Sequence, residues 1–218
     1  MIDFTAARAN MVESQLRTNK VTDQQVIAGF ESIPREAFLP DTLRGVAYVD
    51  EDLAIGGGRH VMEPMILARL IQAAAPGTND MVLEIGSALG YGTAILAQIA
   101  ATVVGLDSDQ ELVATANETL NGMGIDNAVA VSGDMTQGYA KQAPYDVILF
   151  SGSIGEVPEA VAAQLADGGR LVAVIQDETG LGRATLMLRN GETISQRRLF
   201  DASTPVLNGF ERVSGFVF

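Results

Sequence analysis

Three carboxylates, Glu84, Asp107 and Asp134, each stand at or just after the end of a short apolar run. Between the first two lies a string of small residues, Gly86, Ser87, Ala88 and Gly90. Small residues let a backbone approach a ligand closely, and an acid about 20 residues further on can accept two hydrogen bonds from a ribose diol. The set suits a nucleoside-bearing cofactor. Glycines between a strand and a helix often do no more than turn the chain, and here Ala88 holds the place of the middle glycine of the usual pattern. Asp107 tips the balance, because a carboxylate directly after a second apolar strand is an unusual core residue.

The elements that must place these groups follow from the apolar spacing. Met81–Ile85 reads as a strand, residues 91–100 as a helix, 102–106 as a second strand and 127–131 as a third. In a parallel sheet the ends of these strands share one edge, beside the crevice where such sheets bind ligands. Further along, residues 145–150 and 170–175 read as strands and 156–165 as a helix. Residues 184–189 and 192–199 flank Asn190 and Gly191, a hairpin signal that makes the last strands antiparallel. Upstream, residues 4–16 and 23–32 have helical spacing, with Thr22 as a cap for the second. Pro34 and Pro40 break that pattern, 50–63 reads as a glycine-rich loop, and a helix runs from Pro64 to residue 75. The expectation is one domain over 1–218, with a helical extension and loop over 1–75 and a cofactor-binding sheet over 76–218.

Composition narrows the classes further. The chain has 218 residues, 47% hydrophobic and 19% charged, as expected of a globular α/β protein. With no cysteine, disulfides, thiolate catalysis and zinc–thiolate sites are excluded. The net charge of −13, from 27 acids and 14 bases, disfavours nucleic acid and anionic membrane as partners. The adjacent Arg197 and Arg198 read as a solvated strand surface. Residues 85–106 carry no charge and match a membrane span in length alone, but Gln98 and the glycines punctuate them. The first ten residues lack the apolar core of a signal peptide, so a cytoplasmic location is expected. No metal-ligand spacing is present. Oligomeric state is left open.

Several segments, taken in order, carry a resemblance to a known family. MVESQLRTNKVTD, IPREAFLP, IGGGRHVMEP, VLEIGSALGYGTAIL, GDMTQGYAKQAPYDVILF and LADGGRLVAVI together resemble the protein-L-isoaspartate O-methyltransferases. The resemblance implies a Rossmann-like class I methyltransferase sheet with helices on both faces, an antiparallel C-terminal hairpin and an N-terminal helical extension. It implies S-adenosylmethionine as cofactor and a protein or peptide as substrate. It places Glu84, Gly86, Ser87, Ala88 and Gly90 around the methionine part, Asp107 and Ser108 at the ribose, and Asp134 and Met135 near the adenine.

The departures fall on the catalytic loop. Where the family carries a pattern like T-I-S-Q-P, this chain has His60, Val61, Met62, Glu63 and Pro64, so the family serine is replaced by Met62. GSALG stands for GTGSG, and Gly133, Asp134 and Met135 stand for GDG. A carboxylate acceptor, which ordinarily titrates at roughly pH 4, is already ionised at neutral pH and needs no general base. The serine would therefore orient the acceptor, and losing one such hydrogen bond costs roughly 1.5 to 3 kcal/mol. Met62 reads either as a substrate contact or as gap-filling packing. His60, the only histidine, reads as a surface residue or a substrate contact, and Arg59 as an exposed arginine ahead of a contact to an acidic substrate. The expected function is methyl transfer to a carboxylate. The alternatives are a catalytically deficient cofactor-binding protein with a regulatory role and a methyltransferase for a different small molecule.

Overall fold

The computed structural model describes residues 2–212. Its centre is a seven-stranded sheet built from β3 (Met81–Ile85), β4 (Thr102–Asp107), β5 (Ala128–Ser132), β6 (Tyr145–Ile154), β7 (Leu165–Gln176), β8 (Gly182–Asn190) and β9 (Thr193–Asp201). The spatial order is β5-β4-β3-β6-β7-β8-β9. β3 to β7 run parallel, and β8 and β9 return antiparallel; Asn190 still pairs with Thr193, so the turn is Gly191 and Glu192, one residue on from the expected Asn190–Gly191. The parallel strands read as continuous apolar runs because both of their faces are covered. Val82, Val103, Val147 and Val172 enter one buried cluster, while their neighbours Leu83, Val104, Ile148 and Leu171 enter the other.

The two faces are covered unequally. On the first lie α1 (Phe4–Met11), α2 (Gln24–Ser32), α3 (Pro64–Ala74) and α4 (Tyr91–Ala97), whose buried residues share one cluster with the strands. α5 (Gln110–Gly122) adds Leu120 to that cluster. On the second, α6 (Glu159–Ala162) contributes Val161, and the irregular segments around Met135 and Leu207 complete the cover. The extension is joined to α4 at Tyr91. Phe30 meets the Tyr91 ring edge-on at 6.0 Å, Phe38 packs at 5.8 Å, and the Arg35 guanidinium lies 4.9 Å from the ring centroid.

Several local expectations are corrected. The helix expected over 156–165 is only the four residues of α6, because Leu165 already pairs with Tyr145 as the start of β7. α4 stops at Ala97, and α1 gives way at Val12 to a wider, π-type turn that runs to Leu16. Asp23, not Thr22, caps α2: its carboxylate accepts from the Gln25 and Val26 amides, while the Thr22 amide donates to Gln72. The loop over 50–63 contains a short antiparallel hairpin of β1 (Leu53–Gly56) and β2 (Arg59–Val61). α5 is not expected from the apolar spacing, although Asp109 caps it with bonds to the Glu111 and Leu112 amides. No helix among the described residues is long and apolar enough to cross a membrane.

Candidate active site

The parallel register brings the ends of β3, β4 and β5 together, and the loop after β3 folds over the end of β4. The amides of Gly86 and Ser87 both donate to the Leu106 carbonyl, at 2.8 and 3.2 Å. Gly86, Ala88 and Gly90 all have positive φ, at 82°, 48° and 88°. Such a path is costly for a side-chain-bearing residue, so Ala88 carries strain that a glycine would not.

This loop delivers the Ala88 amide to Asp107, at 2.8 Å from Oδ2. The Asp109 amide donates to Oδ1 at 3.2 Å. The remaining positions on the carboxylate are taken by Arg59, whose Nε donates to Oδ1 at 3.3 Å and whose Nη2 donates to Oδ2. Arg59 and Asp107 are 3% and 0% exposed. The exposed arginine expected from the sequence is therefore a buried ion pair, because β2 alternates and turns Arg59 and Val61 inward while His60 stays half-buried. Across 48 residues of chain, no spacing rule connects the two partners.

Glu84 is also buried, and accepts hydrogen bonds from Thr93 Oγ1 and Ser151 Oγ. Burial pushes its pKa up to about 7, against the two hydroxyl donors that favour the carboxylate. A side chain at Gly92 would collide with that carboxyl and force it to shift. Ser87 is buried with its hydroxyl unpartnered, Ser108 is exposed, and Met135 lies in the same buried cluster as Leu106 and Phe150. Asp134 is exposed and accepts from both the amide and the hydroxyl of Thr136, which makes it a local cap in this conformation.

Two small cavities, each of about 10 Å³, line the crevice. His60, Met62 and Ser151 border both, Glu84, Gly86, Ser87 and Ala88 border one, and Arg59 and Leu207 border the other. Met62 is 3% exposed and belongs to the main buried cluster, yet it still reaches the crevice wall. Beside it Glu63 is half-buried. Burial and the neighbouring Asp52 and Asp50 raise its pKa to about 7. Among the described residues no group of His, Asp or Glu is arranged to hold a metal ion.

Residues that the sequence did not single out complete the site. Ser151 stands on the part of β6 beyond the expected strand end, so a longer strand would have pointed to it. Leu207 lies in an irregular segment with no pattern to read. A Cβ added to Gly86 would sit 2.7 Å from Leu207, and one added to Gly152 would sit 2.6 Å from it. The cradle left open by the two glycines is thus filled by this leucine.

Comparison with known proteins agrees with this geometry. The family model for protein-L-isoaspartate(D-aspartate) O-methyltransferase matches residues 7–202. A protein-L-isoaspartate O-methyltransferase of Methanoculleus marisnigri is 39% identical over 189 residues, covering 86% of each chain. One from Methylorubrum extorquens is 36% identical over 208 residues, covering 95% of this chain and 91% of its own. Among solved structures, a protein-L-isoaspartate O-methyltransferase superposes with a TM-score of 0.82 at 24% identity, covering 93% of this chain and 66% of its own. A Plasmodium falciparum protein described as a β-aspartate methyltransferase, in complex with S-adenosyl-L-homocysteine, superposes with a TM-score of 0.76 at 20% identity, covering 95% and 99%. At those identities the solved structures speak for the fold, and the family is carried by the sequence matches. Since they embrace the extension, the hairpin and the sheet together, the chain belongs to the protein-L-isoaspartate O-methyltransferase family.

Proposed function

We propose that this chain transfers a methyl group from S-adenosylmethionine to the carboxylate of isoaspartyl residues in proteins. The observation that carries this is the family match over residues 7–202, which takes in the extension and the hairpin as well as the sheet. A sheet of this kind serves many chemistries, so the parts outside it bear on the substrate. The same match favours this function over a purely regulatory or small-molecule role.

The residues present fit such a cofactor. Arg59 presents two N–H donors to the two oxygens of Asp107, the same demand that a ribose diol would make. The glycine cradle at Gly86 and Gly152 accepts an apolar group, as its occupation by Leu207 illustrates. In this reading Asp107 and Ser108 hold the ribose, and Glu84 with the loop over 86–90 holds the methionine part. Asp134 and Met135 lie toward the adenine. When bound, the cofactor supplies an electrophilic methyl group on a sulfonium sulfur.

The acceptor carboxylate oxygen gains the methyl, and the electrons of the broken carbon–sulfur bond return to sulfur. No proton is transferred, so the chain needs no general base and acts by holding the two reactants in line. His60 and Met62 border the crevice on the acceptor side. Met62 offers bulk where the family serine offers a hydroxyl.

The test is methyl transfer to an isoaspartyl peptide, with the aspartyl peptide of the same sequence as control. Transfer to the isoaspartyl peptide alone is expected. Confirmed cofactor binding without transfer to either would refute the proposed reaction.

A further inference from the structure

The crevice residues are engaged by the chain itself, and the engagement is specific. Arg59 occupies both oxygens of Asp107, and its Nη2 also lies 3.4 Å from where a Cβ on Gly86 would stand. Leu207 covers Gly86 and Gly152. These two side chains come from segments far apart in the sequence and are tied to each other's supports. Thr204 Oγ1 donates to Asp52 at 3.1 Å, just before β1, and Asn208 Nδ2 donates to the Gly57 carbonyl at 3.1 Å at the hairpin tip.

The two supports differ in how firmly they are held. The segment around Leu207 is fixed along β6: the Ser153 amide donates to Pro205, the Leu207 amide to Ser153, and the Gly155 amide to Phe210. Phe210 adds an edge-on contact with Phe150 at 5.5 Å. The hairpin has only two short strands, and its tip is Gly56, Gly57 and Gly58, all exposed and all at positive φ. Its base is packed into the main cluster through Leu53, Val61 and Met62, so the glycine tip, which leads into Arg59, is the part that gives way.

We propose that Arg59 is an internal competitor for the cofactor, which sets its affinity by holding Asp107 until the hairpin tip swings away, with Leu207 closing the cradle alongside. This rests on the crevice being an S-adenosylmethionine site. Because β2 also carries the half-buried His60 next to Arg59, the movement that frees Asp107 shifts this side chain of the acceptor wall as well.

The experiment is calorimetric titration of S-adenosylhomocysteine into the wild type, Arg59→Met and Leu207→Ala, with thermal unfolding of each protein with and without the ligand. Methionine keeps the volume of the arginine stem and offers no donor to Asp107. Arg59→Met is expected to bind about tenfold or more tightly than the wild type, the scale of one charged hydrogen bond released from competition. It should melt lower when free and show the larger ligand-induced rise. Leu207→Ala should bind severalfold more tightly. Binding by Arg59→Met where the wild type shows none would support the proposal in its strongest form. Equal affinity in the three proteins would overturn it and leave the cofactor reading standing, and weaker affinity in Arg59→Met would make Arg59 a cofactor ligand instead. Absence of binding in all three would overturn both. If Arg59→Met does not fold, Leu207→Ala decides alone: tighter binding supports the proposal and unchanged or weaker binding overturns it.

Discussion

Removing either partner of the Arg59–Asp107 pair should destabilise the free protein far more than removing both. The two side chains are 3% and 0% exposed, so Asp107→Asn leaves a guanidinium out of water without its counter-charge. Breaking a buried pair in this way costs about 3 to 5 kcal/mol, against a total domain stability of about 5 to 15 kcal/mol. Arg59→Met should fall at the lower end of that range, because Asp107 keeps the Ala88 and Asp109 amides as donors. The double variant places two uncharged groups of similar volume together. It should recover about 2 to 3 kcal/mol relative to the sum of the single losses. Urea denaturation followed by far-ultraviolet circular dichroism, at one pH and with equal m-values, measures all three differences. Additive single losses below about 1 kcal/mol would refute the reasoning, since they would put the Arg59 guanidinium in solvent.

Three further outcomes follow from the site. Glu84, with its pKa raised to about 7 by burial, is held protonated in the folded state over a range where the unfolded chain has already ionised. Stability from this group is full below about pH 4.5 and is lost as pH rises through about 7. The wild type should thus lose up to about 3 kcal/mol more than Glu84→Gln between about pH 5 and 8 in urea titrations. Gly92→Ala should cost about 1 to 3 kcal/mol or more in the same assay, because its Cβ runs into the Glu84 carboxyl. Met62→Ser should raise turnover on an isoaspartyl peptide by about tenfold while lowering stability by about 2 kcal/mol, since Met62 is buried in the main cluster.

How much of this was legible from the sequence depended on the range of the interaction. β3 and β4 are covered on both faces and stand out as apolar runs, and Gly191, at positive φ between the paired Asn190 and Thr193, announces the β8–β9 turn. α5 escapes notice because its exposed faces carry asparagine, threonine and glutamate between few buried positions, Val113, Ala116 and Leu120. The β1–β2 hairpin is too short for its alternation to rise above chance. The strand-end acids are found by type and position, yet what they touch is not. Asp107 meets Arg59 across 48 residues, and Glu84 meets Ser151 across 67. Such pairings are made by the topology of the sheet, which no local pattern encodes.

The junction at Tyr91 has a consequence during synthesis. Phe30, Phe38 and the fully buried Arg35 leave the ribosome well before the ring they pack against. At about 5 to 20 residues per second Tyr91 follows Phe30 by about 3 to 12 seconds, long compared with the microseconds in which a helix forms. During that interval the nascent extension displays aromatic surface and a cation with no partner ring.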